Sequence, residues 1–223
     1  MMMLPLLIPV GVVSVIGVVI YLSHQAQKKR TSDIHLKAEE LGLSYYEDGA
    51  SRLAHTVDGF HLMSRGRAKK YRNVITAETP DVSITIFDYQ FTTGSGKSTK
   101  THHQTVTAIE SLNLQLPTFR ARPENMLDGV GNVFGLQDID FDDHPGFSNA
   151  FVLKSDSEEA TRKFFDFTVL EYFADKAKLS FEGTRNVFLF YEPRHRVQPE
   201  NLKFLLEEGY RTYGVLRDRA NRS

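Results

Sequence analysis

Val82–Phe91, VSITIFDYQF, is the clearest alternating stretch of the chain. Successive side chains of an extended strand point to opposite faces. Val82, Ile84, Ile86, Asp88 and Gln90 therefore share one face, and Ser83, Thr85, Phe87, Tyr89 and Phe91 share the other. Upstream, Tyr71–Glu78 reads as a second strand across the turn Pro80-Asp81. Downstream, a turn at Gly94–Gly96 leads into Ser98–Ile109, where Thr, His and Val again favour a strand. The three form an antiparallel hairpin or meander.

Toward the C-terminus, Phe119–Arg122 reads as one further strand, and Pro123 suits the first turn of a helix to about Phe134. Asp138–Phe141 and Phe147–Lys154 read as strands flanking the turn Asp142–Gly146. Ser155–Glu158, SDSE, has the form of a capping box and predicts a helix to about Lys176 lying across the sheet. Leu179–Glu182 and Asn186–Glu192 make a second hairpin around Gly183. A last helix opens at Pro199 with Leu202, Leu205, Leu206, Tyr213 and Leu216 on one stripe. Toward the N-terminus, Ser32 suits the cap of a short helix, Asp33–Leu41, ended by Gly42. Leu43–Tyr46 and Phe60–Met63 read as short strands, and Ser51–His55 is ambiguous. Strands and helices mix without strict alternation, so the class is α+β: a mixed domain with an antiparallel sheet and two or three packed helices.

Ahead of this domain stands Leu4–Leu22, LPLLIPVGVVSVIGVVIYL, with no charged residue and Ser14 as its one polar side chain before Tyr21. At about 1.5 Å per residue it spans about 28 Å, close to the hydrocarbon thickness of a bilayer. No basic residue precedes it and no Ala-x-Ala cleavage pattern follows, which favours an uncleaved transmembrane helix over a signal peptide. Lys28, Lys29 and Arg30 follow it, so the positive-inside rule places the C-terminal domain in the cytoplasm of a single-pass protein at the cell membrane. The expected organisation is an anchor with its basic flank, 1–30, and a soluble domain, 31–223, either whole or divided into 31–110 and 111–223. Gly11, Ser14 and Gly17 form a small-residue stripe that would suit a weak homodimer through the anchor, or are ordinary anchor composition.

A net charge of −1 argues against nucleic acid as a partner, because phosphate binding needs a basic field. There is no cysteine, which excludes a thiol nucleophile and fits a cytoplasmic domain. Residues 91–98, FTTGSGKS, resemble a phosphate-binding loop by eye. The first glycine of that pattern is Phe91, however, and a strand rather than a helix follows, so it reads as a hairpin turn. His102 and His103 are strand neighbours facing opposite ways. No GxSxG, HExxH or CxxC occurs, so no catalytic residue and no cofactor is expected.

Two clusters carry candidate chemistry. Arg65, Arg67, Lys69, Lys70 and Arg72 suit anionic lipid headgroups, or else are the solvated residues of an edge strand. Asp138, Asp140 and Asp142 alternate, with His144 beside them, and hard oxygen ligands suit Ca²⁺ or Mg²⁺. The calcium-loop spacing fails, since its sixth position is Asp143 and its twelfth Asn149. In the alternative, Ile139 and Phe141 face the core while the aspartates face water or pair with Arg120 and Arg122.

IFDYQF (86–91), HHQTV (102–106), LPTFRARPE (116–124), FGLQDIDFDDHPGFS (134–148) and FVLKSDSEEATRKFF (151–165) together resemble an uncharacterised family of bacterial membrane-anchored proteins. The resemblance covers most of residues 31–220. It implies a bacterial, single-pass, one-domain protein and transfers no reaction, cofactor or site residue. The expected function is a membrane-tethered cytoplasmic domain that binds an unknown protein partner or the lipid surface. The alternative is a metal-dependent enzyme or metal-binding domain built on the Asp138–His144 cluster.

Overall fold

A computed structural model describes residues 4–126 and 138–222, with side chains from residue 17 onward. The chain opens with a helix, α1 (Leu4–Glu40), and β1 (Ser44–Asp48), followed by two short helices, α2 (Ala50–Val57) and α3 (His61–Ser64). The meander is β2 (Arg67–Glu78), β3 (Ser83–Thr93) and β4 (Lys100–Glu110), paired antiparallel as the alternation predicts. Then come β5 (Leu116–Pro123), α4 (Pro145–Ser148), β6 (Phe151–Ser155), α5 (Glu158–Phe164), α6 (Phe167–Ala174), β7 (Ser180–Arg185), β8 (Val187–Tyr191) and α7 (Leu202–Ala220). The strands make one eight-stranded antiparallel sheet in the order β1-β2-β3-β4-β8-β7-β5-β6. The sheet runs unbroken past residue 110: Glu110 of β4 pairs with Val187 of β8. Ile84 and Ile109 share a core cluster with Phe119, Phe181 and Phe188.

Each sheet face is covered differently. On the first face, Ile84 and the phenylalanines of β5, β7 and β8 pack against α5, α6 and α7. Phe119, Phe165, Phe173, Phe181 and Phe188 stack there at ring separations of 4.3–6.3 Å, filling a core without tryptophan. On the second face, Phe87, Tyr89, Phe91, Val106 and Leu189 pack against Leu53 and Val57 of α2 and Leu62 and Met63 of α3. Over β5 and β6 this second face stays open among the described residues.

α1 differs most from expectation. It is one helix through Ser32, not a separate one starting there. Arg30, Ile34 and Ala38 recur every four residues, one stripe of the helix, and that stripe lies on the sheet. Ile34 and Ala38 are buried with Ile75, Ile86 and Leu202, and Arg30 reaches Asp88. Burial of that stripe outweighs the local capping preference of Ser32, which stays exposed. Arg30 is thus part of the folded domain and not simply a flanking charge. Val18, Val19, Ile20, Tyr21 and Leu22 stand clear of the domain, 56–62% exposed. Among the described residues no helix is long and apolar enough to cross a membrane. Most of the apolar run 4–22, including Gly11 and Ser14, falls on residues 4–16, whose side chains lie outside the described residues.

Other expectations are corrected locally. Phe60–Met63 is not a strand: His61–Ser64 forms the short helix α3. Pro123 opens no helix; it ends β5 opposite Phe151, and most of the expected helix, 127–134, lies outside the described residues. Asp138–Phe141 is extended but unpaired as a strand, held by Ile139 N–H on the Leu153 carbonyl at 2.9 Å. Phe147 belongs to the short helix α4, so β6 begins only at Phe151. The predicted long helix after Ser155 is two, α5 and α6. Ser157 caps α5, accepting from Ala160 N, and Asp166 caps α6, accepting from Val169 N. Gly183 lies within β7; the β7–β8 turn falls at Arg185, whose φ is 52°.

Candidate functional site

The open half of the second face carries a cavity of about 550 Å³. Its floor is a cross-strand row: Arg120 of β5 lies opposite Lys154 of β6 on one side and Glu182 of β7 on the other. Alternation puts these three on the face opposite Phe119 and Phe181, which fill the core. Asp58, Asp156 and Arg185 also line it, with Thr118 and Thr184 bonded to each other at 2.9 Å.

Glu182 is 4% exposed. Its carboxylate accepts from the backbone N–H of His61 at 2.6 Å and of Leu62 at 2.9 Å, fastening α3 to the sheet. Burial pushes its pKa up to about 7, against the two N–H donors and the nearby Arg120 and Arg65, which favour the charged form. A carboxyl at that value beside a cavity has the protonation range of a general acid or base. Here both oxygens are already engaged by backbone, so its evident work is to hold α3.

The basic cluster divides. Arg65 is half-buried, its guanidinium over the Phe91 ring at 5.6 Å from the centroid. Arg67, Lys69, Lys70 and Arg72 are exposed along β2. β1 pairs with β2 only from Arg72 onward and Gly49 N–H reaches the Tyr71 carbonyl at 3.2 Å, so among the described residues Arg67–Lys70 has no strand partner on that side. Arg67 donates to the Gly94 carbonyl at 2.6 Å, which joins this edge to the β3–β4 hairpin tip. Sequence reading missed Lys97 and Lys100 on that tip, both exposed. Residues 91–98 end β3 and enter the hairpin connection, 94–99, as expected of the turn.

The acidic cluster is used locally. Asp138 accepts from Leu153 N at 2.8 Å, and burial raises its pKa, against that N–H. Asp140 and Asp142 are exposed, while Ile139 and Phe141 are buried. His144 caps α4, its Nδ1 accepting from Phe147 N at 3.2 Å and its Nε2 lying 3.0 Å from Glu171. Among the described residues no group of three or more His, Asp or Glu could hold a metal ion. Arg122 donates to the carbonyls of Pro123 and Met126, and Arg120 faces the cavity. His102 and His103 do face opposite ways: His102 stacks on Phe91 at 4.8 Å, whereas burial and Arg196 lower the pKa of His103.

A second polar site fastens α1. Asp88 accepts from Arg30 at 2.8 and 2.7 Å, from Asn73 at 2.9 Å and from Thr105 at 3.0 Å. No sequence signal links Arg30 to Asp88 except that Asp88 is the one charged residue on its strand face.

A solved structure shares this fold. It is the crystal structure of the mycobacterial trehalose monomycolate transport factor A, TtfA, with a TM-score of 0.57 at 15% identity, covering 85% of this chain and 93% of that one. No family model and no curated protein matches the chain. At that identity the likeness is one of fold.

Proposed function

We propose that this chain is a membrane-tethered binding module: a single-pass protein of the cell membrane, with its C-terminal domain in the cytoplasm, that presents the open sheet face to a protein partner. The observation that carries the reading is α1. One helix continues from the apolar run into the folded sheet, and its apolar residues Val18–Leu22 have no cover from the domain. An uncovered apolar helix end of this kind is stable where a bilayer takes the place of a protein neighbour. Lys28 and Lys29 remain as the flanking cations that favour a cytoplasmic domain, Lys29 pairing with Asp33 on the exposed helix and Arg30 being held by Asp88. The fold neighbour is named as a transport factor, and a binding module rather than a catalyst is consistent with a buried carboxylate occupied by backbone donors.

Membrane fractionation with alkaline extraction, followed by protease treatment of intact and opened cells, tests this. The full chain should stay in the pellet, lose its domain only after the cells are opened, and become soluble when residues 4–22 are deleted. Recovery of the full chain in the soluble fraction would overturn the tether.

A further inference from the structure

We infer that the β3–β4 hairpin tip and the free edge of β2 form a basic surface that docks on anionic lipid headgroups. This inference rests on the tethered reading and specifies what the domain does beside the membrane.

Direction comes first. Ile34 packs in a cluster with Ile86, and one helical turn earlier Arg30 reaches Asp88, two residues further along β3. One turn of helix and two residues of strand each advance about 6 Å. α1 therefore packs over β1 and β2 and runs antiparallel to β3, so its apolar end points the same way as the β3–β4 hairpin. From Arg30 back to Leu22 the helix extends about 12 Å. From Asp88 out to Thr93 the strand extends about 17 Å. The hairpin thus reaches about 5 Å past the level of Leu22, alongside the last turns of the apolar run.

Charge follows. Arg67, Lys69, Lys70, Lys97 and Lys100 are exposed at this end, and Arg194, also exposed, acts on His102 from the chain beyond β8. Residues 64–72 and 91–104 contain no Asp or Glu. The chain as a whole carries −1, so these two stretches are basic against the balance of the chain. Lysines that only guard a free strand edge would be confined to β2. Lys97 and Lys100 lie on the hairpin, away from that edge, at the same end of the sheet. Anionic headgroups attract basic residues within about one Debye length, near 8–10 Å, and the reach calculated above places the tip inside it.

The absence of cysteine allows a single fluorophore at Ser95→Cys on the exposed tip. The full chain is incorporated into vesicles of neutral phosphatidylcholine, with or without about one-third phosphatidylglycerol, carrying a headgroup acceptor in both leaflets. Co-flotation with neutral vesicles reads the tether. Energy transfer reads the docking, and should rise about twofold with the anionic lipid and fall back near 1 M salt, where the Debye length is about 3 Å. Lys69→Glu, Lys70→Glu, Lys97→Glu and Lys100→Glu together should abolish the rise; the salt titration stands by itself if that variant misfolds. Co-flotation with transfer indifferent to lipid charge and salt overturns the docking and leaves the tether. Flotation with anionic vesicles alone overturns the tether and supports the surface. Flotation with neither overturns both.

Discussion

Arg30→Met isolates what fastens α1 to the sheet. Asp88 is 8% exposed and holds four donors, two of them from Arg30. Without Arg30 the carboxylate stays buried with only Asn73 and Thr105 as donors. Removing one partner of a buried ion pair costs about 3–5 kcal/mol, because the remaining charge is uncompensated. In a domain of this size that lowers Tm by about 10 °C. Asp88→Asn alone should also destabilise, since an amide N–H then meets the Arg30 donors. Combined with Arg30→Met it removes the stranded charge, so the double variant should be more stable than the sum of the singles by about 2 kcal/mol. Chemical denaturation of the detergent-solubilised chain, followed by the fluorescence of its nine tyrosines in the absence of tryptophan, measures all four corners of the cycle. Arg30→Met within about 1 kcal/mol of the parent, or strict additivity in the double variant, would refute the assignment of Arg30 to the fold.

Glu182 gives a pH dependence of definite sign. Its pKa is raised from 4.5 to about 7, so the folded state binds more protons between those values. This group's contribution is therefore fully present below about 4.5 and is lost as pH rises through 7, amounting to about 3 kcal/mol. Glu182→Gln should flatten that slope in denaturation at pH 5 and pH 8, and an unchanged slope would exclude Glu182 as its source. Gly183→Ala places a Cβ at 2.5 Å from Cζ of the buried Phe119, and overpacking of that kind costs about 1–3 kcal/mol. Gly209→Ala meets Ile84 Cγ2 at 3.0 Å and should cost less; equal melting points would contradict the tight packing at Phe119. Ser155 bonds the Thr118 and Ser157 carbonyls, Ser157 N–H and the Thr161 hydroxyl, whereas Ser157 makes one cap bond. Ser155→Ala should therefore exceed Ser157→Ala, itself worth about 1 kcal/mol, and the reverse order would contradict the larger bonding role of Ser155.

What the sequence revealed follows the range of the interactions. Alternation over 82–91 located β3 because both faces of that strand are sorted by burial. Ile139 and Phe141 kept their inward facing even without strand pairing, for the same reason. The start of α3 could not be read, since Phe60, Leu62 and Met63 fit either period and the distant Glu182 takes the N–H groups of His61 and Leu62. Asp166 looked like a polar residue within one helix and is the cap of another, a difference set by whether the chain turns at Phe165. In the basic surface, Arg67–Arg72 were visible as a local cluster. Lys97 and Lys100 join them only through the register Arg67 to Thr92, which no local pattern encodes. Glu182 and the Arg30–Asp88 pair escaped notice for the same cause: their partners are far along the chain.

The strand order also governs when this protein can finish folding. β4 finds its second neighbour only in β8, near the C-terminus, after β5, β6 and β7 have been made. During synthesis the β1–β4 meander can form from local contacts, but it presents β4 as a bare edge until residues 187–191 emerge. Joining the two halves is a late, non-local event, of the type that slows folding and leaves a sticky edge exposed meanwhile. The interval before β8 arrives is when this chain most needs a chaperone, and variants that weaken the Val106–Tyr191 seam should aggregate as they are made more than they lose stability once complete.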